Sequence, residues 1–208
     1  MNFINHTDLK GKHAILAPSQ PHWLNYSEDD LYKKFVSTYA QSMGTLLHDL
    51  AETLIRNSIK LKKTDKTVVL VHLLKNDIPR SAIDIDRIYN NFMNYVNDAI
   101  GFKLTPEQPL VYSEYCFGTA DAISFRNNLL RIHDYKSGTM PAKMEQLMVY
   151  AALFCLEYKF KPGEIEMELR IYQNDEIIFH NPTADDIAPI MDTIIHSDKM
   201  IREMNGEV

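Results

Sequence analysis

The densest run of chemistry-bearing residues is GTADAISFRNNLLRIHDYKSG, residues 118–138. Asp134 and Lys136 stand two apart in an apolar run that reads as a strand, so their side chains leave the same face. Asp121 lies in the preceding run, across an Asn127-Asn128 pair that suits a tight hairpin turn. Antiparallel pairing about that turn can bring Asp121 and Asp134 together at one end of a sheet. Two carboxylates converging beside an ammonium repel each other and are penalised by burial, and a divalent cation resolves that cost. Hard oxygen ligands with open water positions suit Mg²⁺ or Mn²⁺. Beside a metal-bound water, Lys136 can stabilise hydroxide or the charge developing on a phosphate, and such surroundings favour a lowered lysine pKa. The chemistry that follows is phosphodiester hydrolysis. The structural alternative makes Asp121 and Asp134 turn residues and Lys136 a surface lysine.

Two helical segments add polar positions. In GTLLHDLAE, residues 44–52, Gly44, His48 and Glu52 are four apart and share one helix face within a leucine-rich run. In EQLMVYA, residues 145–151, Gln146 and Tyr150 repeat the spacing. Taken singly, each of these also reads as an ordinary core or solvated surface residue.

The elements that must position these side chains follow from periodicity. An irregular lead-in carries Pro18 and Pro21, then Ser27 with Glu28, Asp29 and Asp30 marks a helix start that runs to about Ile59. From Arg56 to Arg80, seven basic residues face Asp65 and Asp77, and the segment reads as a solvated loop between helices. Placed beside the site, the same stripe could hold a polyanion. Ile83, Ile88, Phe92, Tyr95, Val96 and Ile100 mark a helix ending at Gly101. After Pro109, strands are expected over Val111 to Cys116, Gly118 to Phe125 and Leu129 to Tyr135, then a helix from about Ala142 to Tyr158. Ile165 to Gln173 pairs with Ile177 to His180 across Asn174-Asp175-Glu176, and an amphipathic helix closes the chain over Thr183 to Met204. The expectation is one domain: residues 1–105 mostly helical and carrying His48, residues 106–180 a sheet and helix, residues 181–208 a C-terminal helix. That is an α/β arrangement with a helical N-terminal annex.

Composition narrows the class. The chain has 208 residues, 45% apolar and 24% charged, as expected of one soluble globular domain. A formal net charge of −6 argues against coating nucleic acid by bulk attraction. No apolar stretch approaches the roughly 20 residues that cross a bilayer, and MNFINHTDLKGKH has no apolar leader run. Cys116 and Cys155 cannot supply four thiolates to an iron–sulfur cluster, no G-x-x-x-x-G-K-[ST] nucleotide loop is present, and a reduced cytoplasmic setting is expected. Both thiols read as inert core residues. His133 is expected on the sheet face opposite Asp134, as a packing residue. Trp23 and Tyr26 read as a hydrophobic anchor, with base stacking as the alternative.

In order, His48, GTAD ending in Asp121, HDYKSG with Asp134 and Lys136, and Gln146-Leu147 with Tyr150-Ala151 resemble the motifs of PD-(D/E)XK nucleases. The likeness is to the RecB-like and lambda-exonuclease-like branch and covers about residues 44–158. It implies a restriction-endonuclease-like core, with a central mixed sheet flanked by helices. It implies that Asp121, Asp134 and the Tyr135 backbone carbonyl ligate Mg²⁺ or Mn²⁺, with His48 as a further ligand. Lys136 would position or activate the attacking water. Gln146 and Tyr150 would touch the substrate backbone or brace the site. Glu52, one turn past the histidine, and Glu114, on the strand entering Gly118, would be accessory acids. Asp134 stands where many relatives carry glutamate, and the two cysteines depart from the four-cysteine cluster of the CRISPR-associated members. The function implied is a stand-alone metal-dependent deoxyribonuclease, an exonuclease on linear double-stranded DNA in phage-type recombination. A structure- or site-specific endonuclease and a non-catalytic DNA-binding module are the alternatives. The same analogy supplies a single-strand annealing protein as partner, a ring-shaped homo-oligomer and a bacterial host cytoplasm.

Overall fold

A computed structural model of the chain describes Thr7 and residues 14–207. The reading of the first thirteen residues as lacking an apolar leader falls, Thr7 apart, outside them. Helix α1 (Glu28–Arg56) starts where its acids announce it. The Asp30 N–H donates to Ser27 Oγ (3.2 Å) and the Ser27 N–H donates back to the Asp30 carboxylate (3.1 Å), satisfying two helix-end donors. Met43, Leu47, Ala51, Leu54 and Ile55 form its buried stripe.

The basic segment is not the solvated loop that its charge suggests. Residues Lys66–Lys75 form helix α2, which buries Val69 and Leu73, one helical turn apart, and turns its charges outward. Helix α3 (Ile85–Gly101) is capped by Asp84 and buries Ile88, Tyr89, Phe92, Tyr95, Val96 and Ala99.

Five strands follow: β1 (Thr105–Ser113), β2 (Cys116–Arg126), β3 (Leu129–Tyr135), β4 (Glu166–Gln173) and β5 (Glu176–His180), in the spatial order β1-β2-β3-β4-β5. All neighbours are antiparallel except β3 and β4, which run parallel and are joined through helix α4 (Glu145–Tyr158). Helix α5 (Ala184–Met204) closes the described chain. Strand β1 begins six residues before the expected Val111, because it tolerates Pro106 and Pro109. As an edge strand it does not need every N–H for pairing. The expected hairpin turns are present, with φ of 50° and 63° at Asn127 and Asn128, and 51° and 60° at Asn174 and Asp175.

The mixed sheet is flanked by helices, as expected. One face packs Ala122, Tyr135 and Tyr172 against α1, α2 and α3. The other packs Leu130, Ile132, Leu169 and Ile171 against α4 and α5. Among the described residues no helix is long and apolar enough to cross a membrane.

Leu73, fully buried, and Leu74, exposed, separate a packed α2 from a solvated segment. Leu73→Ala should lower the unfolding free energy by about 2–5 kcal/mol in a denaturant titration. Leu74→Ala should change it by less than about 0.5 kcal/mol.

Candidate metal centre

The site lies where β2 and β3 part. Their last registered pair at this end is Ala122 with His133, so Asp121 and Asp134 come one step beyond it, facing each other across a ladder that has stopped. Asp121 Oδ2 accepts the Tyr135 N–H at 3.1 Å, which ties β2 to β3 by a side chain where the ladder ends. The Lys136 N–H donates to Tyr172 O (3.0 Å), extending the β3–β4 pairing past Tyr135 and holding Lys136 on the Asp134 face. Lys136 Nζ reaches Asp134 Oδ1 at 3.0 Å. The other carboxylate oxygen, Asp134 Oδ2, is buried and has no hydrogen-bond partner among the described residues. With only 2% of its surface exposed, Asp134 carries a polar atom that neither the described residues nor bulk water satisfies.

Helix α1 brings His48 to the same place, with Nδ1 at 3.5 Å from Asp121 Oδ2 and 3.8 Å from Glu107 Oε1. Glu107 is the residue that motif reading misses. It interrupts the β1–β2 pairing between Pro106–Ala122 and Gln108–Ala120, and its φ of 50° is left-handed for a residue with a side chain. Such a conformation costs roughly 1–3 kcal/mol and persists where the surroundings enforce it. Here it accompanies a carboxylate beside His48. Ligating atoms of His48, Glu107 and Asp121, one from each, lie within 4.8 Å of one another. The signal in the sequence is faint: a lone acid between two prolines.

These residues open onto a cleft of about 360 Å³ lined by Thr45, His48, Asp49, Glu52, Glu107 and Asp121. Its charged lining is entirely acidic. Burial, and then the neighbouring Asp121 charge, push the Asp134 carboxyl up to about 7. Burial likewise pushes Asp121 up to about 6, against the Tyr135 N–H and Lys136, and raises Glu107. Burial lowers His48 despite Glu107 and Asp134, which favours the neutral imidazole a metal requires. Opposing effects act on the Lys136 pKa. Burial acts to lower it, but the Asp134 and Asp121 carboxylates outweigh burial and hold Lys136 above the ordinary lysine range.

The remaining predicted residues divide. Tyr150 on α4 lies against the GTAD strand, where a Cβ on Gly118 would come within 2.9 Å of its ring. It senses the charges of Asp121, Asp134 and Lys136. Gln146 is exposed in the first turn of α4, with its side chain beside the Tyr150 hydroxyl. Tyr135 is buried, and its N–H is the group that meets Asp121. Glu52 lines the cleft and pairs with Arg56 at 2.7 Å. Glu114 does not belong here. It sits in the turn between β1 and β2, 68% exposed, 3.6 Å from Arg202, because β1 ends before it and β2 begins after it.

Outside the centre, His133 lies on the opposite face as expected, fully buried, with Nδ1 at 3.1 Å from the Tyr172 hydroxyl. Trp23 anchors the lead-in by donating Nε1–H to Ala17 O. Burial raises both thiols, Cys155 to about 11, consistent with inert cysteines.

The donor set of carboxylates and one neutral imidazole, with a buried carboxylate oxygen left unmatched, fits a hard or borderline divalent cation. Without one, Asp134 destabilises the fold. An unfolded aspartate titrates near 4, so the folded chain retains a proton that the unfolded chain releases from about pH 4 to about pH 7. Stability is therefore lost as pH rises through that window. In EDTA at pH 8, Asp134→Asn should raise the unfolding free energy by about 1–3 kcal/mol, and the gain should vanish near pH 4. Thermal melts across pH measure it, and a variant no more stable than wild type at pH 8 would contradict this account.

No curated protein matches the chain. The family described as "Protein of unknown function (DUF2800)" matches residues 13–177, a span that includes His48, Glu107, Asp121, Asp134, Lys136, Gln146 and Tyr150. With well over half of its length matched, the chain belongs to that family.

Proposed function

We propose that the protein is a metal-dependent deoxyribonuclease acting on linear double-stranded DNA from its ends. The observation that carries the reading is the unmatched buried oxygen of Asp134 beside Asp121 and Lys136, next to the group that Asp121 forms with His48 and Glu107. A purely structural cluster would have little reason to bury like charges together. Asp121 and Asp134, with the Tyr135 carbonyl, would hold Mg²⁺ or Mn²⁺, and His48 and Glu107 would complete the shell. The chemistry a bound divalent cation supplies is neutralisation of phosphoryl oxygens and a lowered pKa for water.

The chain's own residues do the rest. Lys136 keeps its proton and fixes a positive charge 3.0 Å from Asp134, where it can orient an attacking water and meet charge developing on the phosphate. The neutral His48 ring stacks edge-on to Tyr135, which holds its orientation toward Asp121. Tyr150 and Gln146 form the side of the site formed by α4 and would contact the sugar–phosphate backbone. A single-strand annealing partner and a ring-shaped assembly belong to the same proposal by analogy alone.

End-labelled linear duplex, single-stranded DNA and closed circular plasmid, incubated with Mg²⁺, Mn²⁺ or EDTA, test the reading. Wild type should degrade the linear duplex only with metal. Lys136→Ala, shown to be folded by circular dichroism, should lose roughly a hundredfold or more in rate. Nicking of the circle would make the protein an endonuclease. Absence of cleavage on every substrate, or full activity in Lys136→Ala, would overturn the mechanism.

A further inference from the structure

Between the end of β3 at Tyr135 and the start of α4 at Glu145, the chain has no regular structure. This connection links Lys136 to the helix that carries Tyr150. Gly138, Thr139 and Met140 are exposed, Met140 by 81%, so packing does not hold them. Side chains from two other elements and a turn do. Arg87 Nη1 donates to Ser137 O (2.8 Å), and Asn174 Nδ2 donates to Thr139 O (3.2 Å). Gln173, the last residue of β4, makes three hydrogen bonds to the connection. Its Nε2 donates to Gly138 O and to Met140 O, each at 2.8 Å, and its Oε1 accepts the Ala142 N–H at 2.8 Å.

Gln173 is only 4% exposed. Both amide donors and the amide oxygen are directed at main-chain atoms of one five-residue stretch, 138–142. The amide cannot be turned over, because its oxygen would then face two carbonyl oxygens. A buried amide with its capacity used on one segment fixes shape, whereas an apolar residue of the same volume would fill the space and leave three main-chain groups unmatched.

We infer that Gln173 is a positioning residue of the candidate centre, locking residues 138–142 so that α4 presents Tyr150 to Lys136. Its effect on turnover rests on the deoxyribonuclease reading; the lock itself does not.

The lock is read first in wild type. The Ala142 amide should exchange with solvent at least about a hundredfold more slowly than an unstructured amide. Exchange at the unprotected rate overturns the inference. The isosteric Gln173→Met variant is read next. The ring resonances of Tyr150, assigned with Tyr150→Phe, should shift, while the Kd for Mn²⁺ stays within about twofold of wild type and KM for linear duplex rises at least about fivefold. Unmoved Tyr150 resonances, or unchanged KM and kcat, overturn the positioning role. Should Gln173→Met fail to fold, Gln173→Asn, too short to span both carbonyls, gives the same three readouts. Wild type that cleaves no DNA removes the nuclease reading, and the amide and ring signals then decide the lock alone.

Discussion

A buried aspartate, Asp134, and a partly buried one, Asp121, face each other at the open end of a hairpin, and much of the local architecture can be understood from what that arrangement requires. Repulsion between Asp121 and Asp134 would drive the strands apart if nothing else held them. The bond from the Tyr135 N–H to Asp121 ties the two strands directly, the Lys136 ammonium offsets the charge of Asp134, and the bond from the Lys136 N–H to Tyr172 O anchors the end of β3 on β4. The core sets the rest. Ile132 and Ile171 pack beneath α4 on one side, and Tyr135 and Tyr172 beneath α3 on the other. Both carboxylates are thus held by packed strands rather than loops, which suits a site that must not relax when charged.

The two faces of β3 show how environment decides the fate of a titratable group. His133 and Asp134 are chain neighbours, and both are buried. His133 is kept neutral by burial and by Arg170 and Arg131, with Tyr172 as partner, and none of its surface is exposed. Asp134 instead adjoins Asp121 and Lys136 at the sheet's open end. The cleft beside it is lined with acids, so a polyanion would be repelled until cations intervene. Under the proposed reading that repulsion has a use. Lys136 alone cannot balance Asp121, Asp134 and Glu107, and the surplus negative charge favours a divalent ion over a monovalent one.

Sequence legibility followed the range of the forces involved. The Asn127-Asn128 and Asn174-Asp175 turns and the start of α1 are local, set by residues that accept positive φ or cap a helix, and the chain spells them out. The strand spacing of Asp134 and Lys136 was equally plain. Helix α2 was obscured because charge dominates the segment, while its packing depends on two apolar residues, Val69 and Leu73. The prolines of β1 hid the start of the strand. That error carried Glu114 into the site and left Glu107 out, since only the true β1–β2 register shows which acid reaches His48. Glu107 also needs a left-handed backbone that no glycine or asparagine announces. Its place is a tertiary fact.

The connection from β3 to α4 extends the same lesson to geometry. Lys136 and Tyr150 are fourteen positions apart in the sequence, and their relation depends on Gln173, which follows both along the chain and stands just before the turn of the last hairpin. Gly118 completes the arrangement, because the absence of a Cβ lets the Tyr150 ring rest on β2 three residues before Asp121. A larger residue at 118 would lift the ring, and a shorter one at 173 would loosen the connection below it. The side of the centre formed by α4 is therefore set from two strands, with β2 seating the ring and β4 holding the lead-in to its helix. A motif scan sees the residues that would touch substrate; the groups that fix their separation lie outside those motifs and become visible only as contacts.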